Sequence, residues 1–149
     1  MCMIRRSNFD EVSAIWYYFL WPQREKIRSM SSMTYSKGYD TEIYKKYKPS
    51  FFVFEINKEI VAVNSCHKSN TNEMRSRGLW VKPEYRKQGI TYKLFEAMFD
   101  ESLSKKCKYI WSLPRKTALA AYEANGFVKT SNWLKTETSD ANCYVRKML

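Results

Sequence analysis

Apolar residues recur along this chain in two rhythms, and the changes between them outline the elements. Runs of consecutive or alternating apolar side chains predict strands, while returns at every third or fourth position predict helices. Residues 2–7 read as a first strand. Asn8 followed by Glu11 has capping-box spacing, and Phe9, Val12, Ile15, Trp16, Phe19 and Leu20 then share one helical face as far as Pro22. Between Gln23 and Lys48 the pattern is weak. A helical turn is expected at Glu25–Met30, a polar loop at Ser31–Gly38, and a second short helix at Thr41–Tyr47 capped by Asp40. Ser50–Glu55 and Glu59–Lys68 predict two strands around a tight Asn57-Lys58 turn, since asparagine tolerates positive φ. After the polar turn Ser69–Asn72, Glu73–Val81 predicts the third strand of an antiparallel meander.

Lys82-Pro83 ends that strand, because proline lacks the N–H that a ladder needs. Ile90, Leu94, Phe95 and Met98 then set a helix from near Gly89 to about Lys105. Lys108–Leu113 is the next strand. A right-handed crossover through the intervening helix implies that it lies parallel to Glu73–Val81. Pro114 ends it, Thr117–Asn125 is a short Ala-rich helix with Gly126 at its C-terminus, and Phe127–Leu134 with Asn142–Met148 reads as a closing hairpin.

With 149 residues, 44% of them hydrophobic and 16% aromatic, one globular domain over 1–149 is expected. A chain of this size buries roughly 68–70% of its unfolded surface, enough for one real core. The four cysteines, Cys2, Cys66, Cys107 and Cys143, are dispersed, which argues against a zinc site or a disulfide framework and for a cytoplasmic protein. No apolar run approaches the ~20 residues of a membrane span. The net charge of +11 calls for an anionic partner or serves solubility. Charge alone does not separate a phosphate-bearing small molecule from nucleic acid, but no helix-turn-helix, zinc-finger or RNP signature is present. Monomer and homodimer both stay open.

The chemistry concentrates between Leu79 and Leu94. A strand end, the basic turn Arg86-Lys87-Gln88-Gly89 and a helix start aim free backbone N–H groups at one point, with the helix dipole and flanking cations adding positive potential. A phosphate is the natural occupant. Leu79-x-Val81-x-Pro83-x-x-Arg86-x-x-Gly89-x-Thr91 resembles the pyrophosphate-binding motif of the GNAT superfamily of acyl-CoA-dependent N-acetyltransferases. Thr91 departs from the Gly or Ala usual there, adding bulk and a hydroxyl donor. A second motif follows in the right order: Ala118-x-x-x-Tyr122-Glu123-x-x-Gly126-Phe127 resembles that family's Tyr-Glu-x-x-Gly-Phe helix.

The resemblance covers roughly residues 50–134 and is loose before them. It implies an α/β (α+β) fold with a mixed, mostly antiparallel sheet of six to seven strands and about four helices, splayed between strands four and five. It implies acetyl-CoA as acyl donor, direct transfer to an amine in a ternary complex, and a small-molecule or peptide acceptor. Leu79, Trp80 and Val81 would lie along the pantetheine arm. Arg86, Lys87, Gln88, Gly89, Ile90 and Thr91 would cradle the pyrophosphate. Tyr122 would be the general acid for the leaving thiolate. Two departures stand out. Arg115 occupies the place of an asparagine that contacts the arm in many relatives, and could reach a phosphate or the solvent instead. No base is obvious on the motif strand: Glu73 and His67 are the candidates, beside a water relay to solvent. Arg75 and Arg77, if they face the cleft, favour an acceptor bearing a carboxylate or phosphate over a polycation. The alternative is a non-catalytic CoA-binding or regulatory module of the same fold. Residues 23–48 would border the acceptor and could form a lid.

Overall fold

The computed structural model describes residues 1–21, 46–136 and 139–149. The expected turn, loop and lid of the 23–48 segment lie outside the described residues, as does all but the end of the helix expected at Thr41–Tyr47. Strand β1 (Cys2–Ser7) leads into helix α1 (Phe9–Ile15), whose Asn8 side chain accepts from the Glu11 N–H at 2.9 Å. Half of the capping box is thus realised. The Glu11 carboxylate turns back to Arg5 and Ser7.

One π-helical turn, Trp16–Leu20, continues α1. Its wider bond, from Trp21 N–H to the Trp16 carbonyl at 2.7 Å, breaks the 3.6-residue phase. Trp16 is fully buried, but Phe19, expected on the buried face, is exposed and stacks on Trp80 with ring centroids 5.1 Å apart.

β2 (Ser50–Ile56), β3 (Glu59–Lys68) and β4 (Glu73–Val81) form the expected meander, with positive φ at both Asn57 and Lys58 in the first turn. Helix α2 (Ile90–Ser104) crosses to β5 (Tyr109–Ser112), which pairs parallel to β4. Helix α3 (Lys116–Ala124) follows. The closing hairpin differs from expectation. β6 is only Val128–Lys129, while β7 (Leu134–Thr136) and β8 (Ser139–Asn142) pair with each other apart from the main sheet. β9 (Val145–Met148) inserts between β5 and β6, giving a seven-stranded order β1-β2-β3-β4-β5-β9-β6. The polar run Thr130-Ser131-Asn132 offers no apolar stripe to extend β6.

Among the described residues, only β4 and β5 pair in parallel within this mixed, mostly antiparallel sheet. Leu94, Phe95 and Met98 of α2 pack on Met74, Ile110, Tyr122 and Phe127 to form the main core. Val12, Trp16, Val53, Val63 and Trp80 fill the opposite face under α1. Burying a side chain such as Phe95 contributes about 1.5–3 kcal/mol. Among the described residues no helix is long and apolar enough to cross a membrane.

A bulge in β4 decides which residues meet the site. Ser65 opposes Arg77, yet Val63 opposes Trp80, so β4 spends one extra residue at Gly78–Leu79. Before it, Met74 and Ser76 face α2 and α3; after it, Leu79 and Val81 do. Arg75, Arg77 and Trp80 take the other face. The Ser65 hydroxyl donates to the Arg77 carbonyl at 2.7 Å, filling the gap in the ladder.

Candidate active site

β4 and β5 are paired only from Glu73–Arg75 to Tyr109–Trp111. Beyond Arg75 they part, as expected of strands four and five. A cleft of about 850 Å³ opens in the fork, walled by β4 residues Arg75–Val81 on one side and by Ser112–Arg115 and α3 on the other. The turn into α2 forms one end, and Leu20 and Trp21 reach in from the π-helical turn.

That turn is built to leave donors exposed. Lys87 and Gly89 have φ of 62° and 80°, which coils the chain tightly before Ile90. Gly89 is the N-cap of α2, and among the described residues no side chain caps the helix there. Its first-turn N–H groups therefore lack side-chain acceptors, the arrangement that favours an anion. Gln88 turns its amide away to donate to the Glu84 carbonyl at 3.1 Å, and Arg86 Nε–H donates to the Val81 carbonyl at 2.9 Å. Leu79, Trp80, Val81, Arg86, Lys87, Gly89, Ile90, Thr91, Arg115 and Tyr122 line the cleft. Of the residues expected to hold a donor, only Gln88 is not among its lining.

At the apex of the fork lies the Tyr122 hydroxyl, 2.9 Å from Ser76 Oγ and 3.1 Å from Ser112 Oγ. Tyr122 is buried, on Phe95 and Phe127. Burial pushes its pKa above the ordinary value, and the two serine hydroxyls offset part of that rise.

The family model for the acetyltransferase (GNAT) family matches residues 14–127. The chain belongs to the GNAT acetyltransferase family. No curated protein matches the chain. Among solved structures, a GNAT acetyltransferase of Staphylococcus aureus Mu50 aligns at TM-score 0.71 and 15% identity, covering 99% of each chain. The ribosomal-protein-S18-alanine N-acetyltransferase of Escherichia coli aligns at 0.63 and 16%, covering 99% of this chain and 94% of its own. A GNAT acetyltransferase of Elizabethkingia anophelis with acetyl-CoA bound aligns at 0.61 and 11%, covering 99% and 98%. At these identities the likeness is one of fold.

The two base candidates of this GNAT protein are not brought to the cleft. Glu73 starts β4 in its paired half, where its carboxylate accepts from Ser69 and from the Tyr109 hydroxyl. It borders a separate dent of about 200 Å³ with Trp111, Thr130 and Tyr144. His67 is buried on β3, with Nδ1 3.2 Å from the Lys68 carbonyl. Burial, and then the Arg75 and Arg77 charges, take it down to about 3, too low for a base near neutral pH. Glu73 alternates with Arg75 and Arg77 along β4, but it pairs with Tyr109 of β5 and so lies below the fork.

Arg75 and Arg77 do line the cleft, over the rings of Trp111 and Trp21 at 4.7 and 5.3 Å. Ser76 and Ser112 are the site residues that sequence reasoning missed. Each is the single serine of its strand, and that small hydroxyl among larger side chains was the available signal.

Proposed function

We propose that this chain is one acetyltransferase domain, residues 1–149, that moves an acetyl group from acetyl-CoA to an amine by direct transfer within a ternary complex. The observation that carries this reading is the uncapped N-terminus of α2 opening onto the fork between β4 and β5. A diphosphate fits the first-turn N–H groups beside Arg86 and Lys87. The pantetheine arm fits the parted edge of β4 at Leu79 and Val81, where β5 no longer pairs and an extended amide chain can lie alongside the strand. Arg115 supports the same occupant: its Nη2 is buried with no hydrogen-bond partner among the described residues, and it lines the cleft. A carbonyl or phosphate oxygen there would satisfy it.

Tyr122 is the proposed general acid for the leaving thiolate, assistance worth typically ~10²–10⁴-fold. Direct transfer is favoured because no cysteine lines the cleft among the described residues, and Cys66 is fully buried with its thiol pushed up to about 12. Arg75 and Arg77 repel a polycation, so the acceptor proposed is a small-molecule or peptide amine bearing a carboxylate or phosphate. Four unpaired cysteines fit a reducing cytoplasm.

A specific observation favours the second reading, a CoA-binding module without catalysis: no carboxylate or histidine lines the cleft among the described residues. Under the enzyme reading, water in the open cleft takes the amine proton. Thiol release from acetyl-CoA over a panel of amines separates the two. Turnover of anionic amines but not spermidine is expected. Calorimetric CoA binding with no turnover of any amine would replace the enzyme by the module.

A further inference from the structure

The phenol at the apex of the fork is held by groups that the transfer reaction does not otherwise use. Where the β4–β5 ladder ends at Arg75–Trp111, the next rung is made by a side chain: the Ser112 hydroxyl donates to the Ser76 carbonyl at 2.7 Å. The same Ser112 oxygen is 3.1 Å from Tyr122 Oη. On the other side, Ser76 Oγ is 2.9 Å from Tyr122 Oη and reaches the Asn64 amide, 3.4 Å from Oδ1 and 3.3 Å from Nδ2. All four residues are buried.

Each serine has one proton and two acceptors within reach. At rest Ser112 has the Ser76 carbonyl, and Ser76 has Asn64 Oδ1. Each can turn that proton onto Tyr122 Oη without moving its oxygen. A phenolate in an apolar pocket is costly unless donors meet it, and here two stand ready.

We propose that Ser76 and Ser112 are positioning residues for Tyr122, fixing its hydroxyl at the fork and turning their protons onto the phenolate as Tyr122 protonates the leaving thiolate. This rests on the reading of Tyr122 as general acid. In the step, the phenol O–H breaks and an S–H bond forms, leaving free thiol and phenolate. The phenolate regains its proton from water once products leave. Asn64 receives no proton; its amide keeps a donor on Ser76 Oγ while the serine hydroxyl turns away.

The test puts 3-fluorotyrosine at position 122 and follows its titration by ¹⁹F NMR, with no donor bound. Ser76→Ala and Ser112→Ala, singly and together, are compared with Ser112→Thr, which keeps a hydroxyl. The same serine variants with natural Tyr122 are assayed for kcat and for CoA affinity by calorimetry. The alanine variants are expected to raise the fluorophenol pKa by about one unit or more. They should lower kcat about tenfold with CoA affinity unchanged, and Ser112→Thr should recover both. Urea unfolding verifies that each variant is folded. Unmoved titration and kcat in the double alanine variant overturn the inference, even if Tyr122→Phe is slow and the general-acid reading stands. A Tyr122→Phe protein as fast as the unmodified one, or CoA binding without any transfer, overturns that reading and the inference together.

Discussion

Gly78 and Gly89 share a positive φ, 74° and 80°, and serve opposite ends. Gly78 sits in the β4 bulge with the Trp16 indole against it. The Trp16 Nε1–H donates to its carbonyl at 2.8 Å, and a Cβ there would lie 2.3 Å from the ring. Gly89 sits at the start of α2, and a Cβ there would meet nothing within 4 Å among the described residues. The left-handed conformation in one place admits a packed neighbour and sets the phase of the strand. In the other it turns the chain into a helix while leaving the space beside it open. Filled space marks the scaffold; open space beside unsatisfied donors marks the site.

Alanine at each position breaks the comparison differently. Gly78→Ala combines the left-handed penalty with overpacking against Trp16, for an expected loss of about 2–5 kcal/mol. Urea unfolding measures it, and a loss below about 1 kcal/mol would mean that the bulge tolerates a side chain. Gly89→Ala carries the conformational penalty alone, about 1–2 kcal/mol by the same measurement. Its larger effect falls on the donor: CoA affinity should drop tenfold or more by calorimetry while the fold persists. Equal CoA affinity in the two proteins would detach Gly89 from the site.

The smallest effect involves neither glycine. Glu101 on α2 is buried, and burial alone would raise its pKa. Hydrogen bonds from Arg6, Lys105 and Ser50 outweigh that and hold it down to about 2. A depressed carboxylate contributes stability above its unfolded pKa near ~4.3, and that contribution is lost as pH falls toward 2. The urea midpoint should fall from pH 5 to pH 2, and Glu101→Gln should flatten that fall. An unchanged slope in Glu101→Gln would show that other carboxylates govern it.

The donor side of the molecule was readable because its elements carry local signals. The β2–β3 turn, β4, α2 and α3 all followed from turn residues, proline stops and helical spacing, and the basic turn fell where the cleft ends. What escaped depends on phase. The π-helical turn after Ile15 rotates Phe19 outward, and the bulge at Gly78 swaps faces within β4; neither leaves a mark in a period count. Glu73 was misplaced for a related reason, since the point where β5 stops pairing is set by tertiary packing. Ser76 and Ser112 are small polar residues whose importance comes from meeting Tyr122, forty-six and ten positions away.

The central claim is that the turn from Val81 to Thr91 grips a diphosphate. Parallel calorimetric titrations with CoA, with pantetheine and with adenosine 3′-phosphate, two pieces that together lack only the diphosphate, test it most directly. The account predicts CoA binding, with each piece at least ~100-fold weaker, a gap of about 2.7 kcal/mol. An affinity for either piece equal to that for CoA, or no heat with CoA, would contradict it.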